Sequence, residues 1–196
     1  MRYIPKTRPQ LEKESVKKIL DHYKVDTDKD IALLAIRGYY PKSMGNTDGN
    51  DINLYDDAIF VYGKNVFESY NFNTDPSFVN KGGRDLAMLD TGIYRFYKGR
   101  HKNKYNALRS YPEGVVLPCT RNGKKSTCSY INIHRGGINP TTAGVTWSEG
   151  CLSVPHTQWE PFINTVYLHM TTNDQKIITV VLIDNDTYLG IVGESQ

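Results

Sequence analysis

Apolar positions along the chain recur with two different periods, and the changes between them outline the elements. Over residues 8–24, Leu11, Val16, Ile19, Leu20 and Tyr23 fall at helical spacing with charges between them. This predicts one amphipathic helix that docks on the body of the protein. Residues 31–36 form a compact apolar run, the pattern of a buried strand. Runs over 57–62, 65–72, 92–97, 114–118 and 129–134 are rich in Val, Ile, Phe and Tyr, and each is bounded by Gly, Pro or Asn. These read as short strands. Residues 157–170 return to helical spacing through Trp159, Phe162, Ile163, Val166 and Met170, and 177–183 make a final strand. Between 41 and 53, Gly, Asn and Asp dominate and predict a loop; its acids only loosely match a calcium loop and lack the closing Glu. The expectation is a mainly β, α+β fold of sandwich or barrel type, in which residues 1–196 form a single domain and 1–28 a docked N-terminal helical segment.

Composition narrows the picture in a few places. A chain of 196 residues suits one domain. A net charge of +3 is too small to argue for nucleic acid. The densest basic stretch, Lys98, Arg100, His101, Lys102 and Lys104, reads as a solvated loop. No apolar run approaches a membrane span, so stable membrane insertion is not expected. The first six residues offer neither an apolar core nor a small-residue cleavage site, so a signal peptide is not expected and synthesis in the cytoplasm is. Fourteen Tyr against six Phe and two Trp suit half-buried strands and polar, sugar-like or peptide-like ligands. The five histidines show no metal-ligand spacing, and neither metal nor cofactor is expected.

Three cysteines leave at least one thiol unpaired. Cys119 and Cys128 flank a hairpin turn. With Gly123-Lys124 at its tip they lie opposite each other, as a disulfide in an oxidising compartment or as two thiols in a reducing one. Cys151 is the thiol left over.

The stretch from Ile131 to Gly137 carries candidate chemistry. Ile131 and Ile133 point to one face of a strand, Asn132 and His134 to the other, and two glycines then break the pattern. His134 therefore sits at a strand end, where a rigid scaffold presents reactive groups. Further on comes Trp147-Ser148-Glu149-Gly150-Cys151. A cysteine nucleophile needs an imidazole to take its proton and backbone N–H groups for the oxyanion of acyl transfer. His134 is the candidate base, and the amides of Gly150 and Cys151 are the candidate donors. Ser148 is expected to orient His134 or cap the loop, and Glu149 to hydrogen-bond His134 and fix its tautomer. Arg135 and Arg95 are candidates for gripping a carboxylate. Gly136, Trp147 and Tyr97 are candidates for lining a substrate groove.

His134, followed after sixteen residues by Cys151 with Ser148 and Gly150 just before it, resembles the catalytic signature of the L,D-transpeptidase catalytic-domain family. The match covers mainly residues 129–155. Glu149 stands where the family has a second histidine, Arg135 where it usually has Gly, and Leu152-Ser153-Val154 follows the cysteine where the family has a nearby arginine. The resemblance implies a β-sandwich-like mixed fold with a helix after Cys151, and a cysteine acyl-enzyme acting on peptidoglycan stem peptides. The lack of a signal peptide makes the chain look like a phage endolysin: a monomer that is made in the host cytoplasm, acts in the periplasm or cell wall, and depends on a pore-forming holin. Two other readings stand beside this one. Glu149, with His134 or Asp57, acts as general acid for muramidase-like glycan cleavage, or the chain is a non-catalytic cell-wall-binding module.

Overall fold

The computed structural model describes residues 3–40, 52–77, 86–138 and 146–193. The expected loop over 41–53 lies almost wholly outside the described residues. The elements in order are α1 (Lys13–His22), β1 (Ala32–Arg37), β2 (Asp57–Gly63), β3 (Val66–Phe72), β4 (Met88–Leu89), β5 (Gly92–His101), β6 (Tyr105–Ser110), β7 (Leu117–Arg121), β8 (Lys124–Cys128), β9 (Asn132–Arg135), β10 (Leu152–Val154), α2 (His156–Thr172), β11 (Ile177–Asp184) and α3 (Asn185–Gly193). The mainly β, α+β expectation holds.

Eight strands form one mixed sheet in the order β10-β9-β6-β5-β11-β1-β2-β3, and β4-β7-β8 form a second, small one. β1 is buried along its whole length because both of its faces are covered. Leu33 and Ala35 enter an inner core with Trp159, Phe162, Ile163 and Val166 of α2. Ala32, Leu34 and Ile36 enter an outer core with Val16, Ile19 and Leu20 of α1 and Ile191 of α3. The two edge strands of the large sheet also meet. Asn73, just after β3, and Ser153 of β10 exchange both backbone hydrogen bonds at 2.9 Å. The sheet thus curls around α2, which packs against β3, β9 and β10. Every backbone group at a buried edge needs a partner, and this bridge supplies one where the curl brings the edges together.

Several expectations need correction. The first helix is shorter than residues 8–24; Pro9 has no N–H to give and its segment runs extended, with Pro9 O accepting from the Ser69 hydroxyl. The strand expected over 114–118 begins only at Leu117, after a turn. The basic stretch from Lys98 to Lys104 is not a solvated loop. It is the end of β5 and the turn into β6, a strand that the sequence analysis left out. The hairpin tip of β7–β8 is Asn122-Gly123, with both residues at positive φ, 48° and 71°. That is the turn Asn-Gly favours because its twist matches the strands. The shifted tip pairs Cys119 with Ser126 and Leu117 with Cys128, so the two cysteines sit diagonally rather than opposite, as free buried thiols.

Candidate functional site

The site is built on the parallel pairing of β9 with β10. Leu152 pairs with Ile133, Ser153 with His134 and Val154 with Arg135. Ile133, Leu152 and Val154 point into the inner core, so by strand alternation Asn132, His134, Cys151 and Ser153 share the opposite face. His134 and Cys151 are diagonal neighbours there. Their Cα atoms stand roughly 8 Å apart, from a strand spacing of about 4.8 Å and a rise of about 3.3 Å per residue. The sulfur accepts the backbone N–H of Asn132 at 3.4 Å, and its own S–H faces the carbonyl of Tyr130 at 4.0 Å. Among the described residues no hydrogen bond joins the sulfur to His134 at rest. Such contacts commonly tighten only when substrate binds.

The backbone around the pair is shaped by two glycines. The Gly136 N–H reaches Val154 O at 2.8 Å, and a Cβ there would lie 1.7 Å from the Tyr55 hydroxyl. Only glycine fits that approach. Gly150 has φ +140°, and a Cβ would meet Ala87 O at 2.9 Å. Ser148 is buried and braces the turn at Gly150. Its hydroxyl accepts the Gly150 N–H at 3.0 Å and donates to Cys151 O, while its own N–H is taken by the Ser77 hydroxyl. Ser148 therefore caps the loop rather than orienting His134. The Gly150 amide is already spent on Ser148, which leaves the Cys151 N–H as the candidate oxyanion donor.

Electrostatics set the protonation states. Nδ1 of His134 lies 2.8 Å from the carbonyl of Arg135, which can only accept, so this nitrogen carries the proton and Nε2 keeps a free lone pair. The same carbonyl accepts from the Tyr105 hydroxyl at 3.4 Å. Burial, followed by the neighbouring His101 and Lys102, lowers the His134 pKa from 6.5 to about 3. Burial also pushes the Cys151 thiol above its ordinary 9.0, against the Asn132 N–H and Lys102, which favour the thiolate. The resting pair is a neutral thiol beside a neutral imidazole.

An open cleft of about 440 Å³ lies alongside, lined by His101, Lys102, Lys104, Tyr105, Arg135 and Trp147 together with residues 136–138. Among the described residues it carries three cations and no acid. The Arg135 guanidinium lies 4.7 Å from the centre of the Tyr105 ring. Trp147 is 53% exposed, has φ 55°, and packs so tightly on Gly137 that a Cβ there would come within 2.3 Å of its ring. Neither Cys151 nor His134 lines the cleft itself. His101, which stacks on His134, lines it.

The remaining sequence candidates do not join this group. Glu149 is exposed, and its expected bond to His134 is replaced by the Arg135 carbonyl, which already fixes the tautomer. Asp57 is fully buried, with its carboxylate accepting the N–H groups of Gly38 at 2.7 Å and Thr74 at 2.6 Å. Tyr97 pairs with Arg109, which pairs in turn with Asn132. It therefore stands about three strand spacings, roughly 14 Å, from Cys151. Arg95 lies beyond it, over the Tyr111 ring at 5.3 Å. Neither lines the cleft. In their place the structure brings in His101, Asn132 and Tyr105. His101 was hidden in a basic run, and Asn132 carried one signal, its place on the polar face beside His134. No protein-family model matches the chain, and no curated protein matches it in sequence.

Proposed function

We propose that this protein is a peptidoglycan hydrolase that cleaves murein stem peptides through a Cys151 acyl-enzyme, on an L,D-transpeptidase-like scaffold and in the manner of a phage endolysin. The observation that carries the reading is a thiol and an imidazole on one face of paired strands, with the proton of the imidazole fixed on Nδ1 by the Arg135 carbonyl. The free Nε2 takes the proton from the thiol as the sulfur attacks the scissile carbonyl. The Cys151 N–H receives the oxyanion. His134 then returns the proton to the leaving amine, and the same nitrogen activates water, or an amine acceptor, against the thioester. The cationic cleft suits the free carboxylates of stem peptides, and Trp147 and Tyr105 offer ring surface to their chains. In this reading the protein is a monomer that reaches the wall through the pore of a holin. Among the described residues no helix is long and apolar enough to cross a membrane.

The test is product analysis of digested, purified murein. The parent and Glu149→Gln release stem-peptide fragments with new peptide termini and no new reducing sugars, and Cys151→Ala releases none while keeping the parent thermal midpoint. Turnover that survives in Cys151→Ala, or new reducing or anhydro-sugar ends, would end the reading.

A further inference from the structure

His101, the last residue of β5, is half-buried and meets His134, Tyr105 and Asn132. Its ring stacks on the ring of His134, with centroids 4.5 Å apart and planes 21° from parallel. The ring of Tyr105 stands 5.5 Å away. Its Nδ1 lies 3.3 Å from the side-chain nitrogen of Asn132, which donates to it. The backbone N–H of that same Asn132 holds the sulfur of Cys151. His101 also lines the cationic cleft.

We propose that His101 is a positioning residue for the cysteine chemistry, holding the imidazole of His134 in plane while Asn132 ties it to the strand that cradles the sulfur. The proposal rests on the cysteine reading above. An imidazole held at one nitrogen by a carbonyl still turns about that bond, and a parallel ring against its face limits the turn. A base misplaced by about 1 Å loses on the order of a hundredfold in rate. The charged and titratable groups that face the two rings are Lys102, Arg109, Tyr105, Arg135 and Cys151. Burial, then Lys102 and Arg109, lower the pKa of His101 from 6.5 to about 4, so its ring is neutral where it stacks on His134. Packing alone does not account for the residue: a phenyl ring would stack as well, yet would leave the Asn132 side chain, whose Oδ1 is already buried without a partner, with a second unmet group.

The experiment follows the full chain as the parent, His101→Ala, His101→Phe and His134→Gln. Two readouts are taken: murein turnover, and the rate of Cys151 alkylation by iodoacetamide against pH, resolved by peptide mass spectrometry so that Cys119 and Cys128 count separately. His101→Ala is expected to lower kcat by about 10–100-fold with KM within about twofold, in the range of a displaced general base. Its alkylation is expected to slow at neutral pH towards that of His134→Gln, with an inflection moved upward in pH. His101→Phe, which keeps the stack and loses the Asn132 bond, falls between. Parent kcat and parent alkylation profiles in both His101 variants would overturn the proposal. Alkylation needs no substrate, so an absence of murein turnover in the parent would end the hydrolase reading, while the alkylation profiles still decide the role of His101.

Discussion

Gly150→Ala tests the loop that presents the sulfur. The glycine has φ +140°, and an added Cβ would lie 2.9 Å from Ala87 O and 3.1 Å from Ala87 Cβ. A residue forced to hold that backbone costs about 1–3 kcal/mol. The obstructing carbonyl is main chain, so it yields only if residues 86–87 move too. The sum is about 2–4 kcal/mol, which for a chain of this length lowers the thermal midpoint by roughly 5–15 °C. Relief of the clash pushes position 150 away from Ala87 and carries Cys151 with it, so murein turnover falls by about a hundredfold for a displacement near 1 Å. Gly123→Ala is the control. It too has positive φ, +71°, but nothing lies within 4 Å of its Cβ. It costs about 1–2 kcal/mol of strain and leaves turnover unchanged, since it sits at the β7–β8 tip. The assays are scanning calorimetry and murein turnover. Parent values for Gly150→Ala in both, or an equal loss of turnover in Gly123→Ala, would refute the reasoning.

Ser148→Ala removes a hydroxyl that satisfies both the Gly150 N–H and the Cys151 carbonyl; with each bond worth about 1 kcal/mol, urea unfolding should show a loss of about 1–3 kcal/mol, and no loss would contradict the brace. His134 has a folded pKa of about 3 against 6.5 in the unfolded chain. Its share of stability is therefore complete above pH 6.5 and is lost as pH falls from 6.5 towards 3, an upper bound of roughly 2–5 kcal/mol at about 1.4 kcal/mol per unit. The raised pKa of Asp57, set by burial and then by Asp56 and Asp75, acts in the opposite sense. The measurement is therefore the difference in acid slope between the parent and His134→Gln, and equal slopes would contradict it. Trp147→Ala and Arg135→Gln alter the cleft without touching the sulfur. Steady-state assays should give KM raised about 5–50-fold with kcat nearly kept, and a fall confined to kcat would move the substrate elsewhere.

The polar face of β9 was legible because alternation over residues 131–134 depends only on the strand period. The helix α2, read from the sequence over residues 157–170, and the buried strand β11 were legible for similar reasons, since each carries a strong local pattern. His101 was not. Lys98, Arg100, Lys102 and Lys104 around it look like solvent-facing residues, and only the pairing of β5 with β6 and of β6 with β9 turns that histidine onto His134. β6 itself escaped notice because Tyr-Asn-Ala-Leu-Arg-Ser has little apolar contrast; its neighbours on both sides hold it in the sheet. Tyr97 and Arg95 were misplaced because residue type, a ring or a guanidinium, says nothing about how many strands lie between them and Cys151. The hairpin tip was misread by one residue, and a shift of one residue is enough to move a cysteine from a facing to a diagonal position.

The same sensitivity explains why the pair at the site depends on β10. Three residues, Leu152, Ser153 and Val154, set the register against β9. A slip of one residue would turn Cys151 and Ser153 into the inner core and bring Leu152 and Val154 to the outside. The register is held from both directions. Leu152 and Val154 are fully buried against α2 and the large sheet, so the slip would expose two large apolar side chains. Ser153 is bonded through its backbone to Asn73, and Gly136 to Val154, so the slip would also break three hydrogen bonds at 2.8 to 2.9 Å. A strand this short has little pairing energy of its own. Its placement is fixed because the curl of the sheet brings the end of β3 against it, and the meeting of the two sheet edges is what keeps the sulfur on the same side of the sheet as the imidazole.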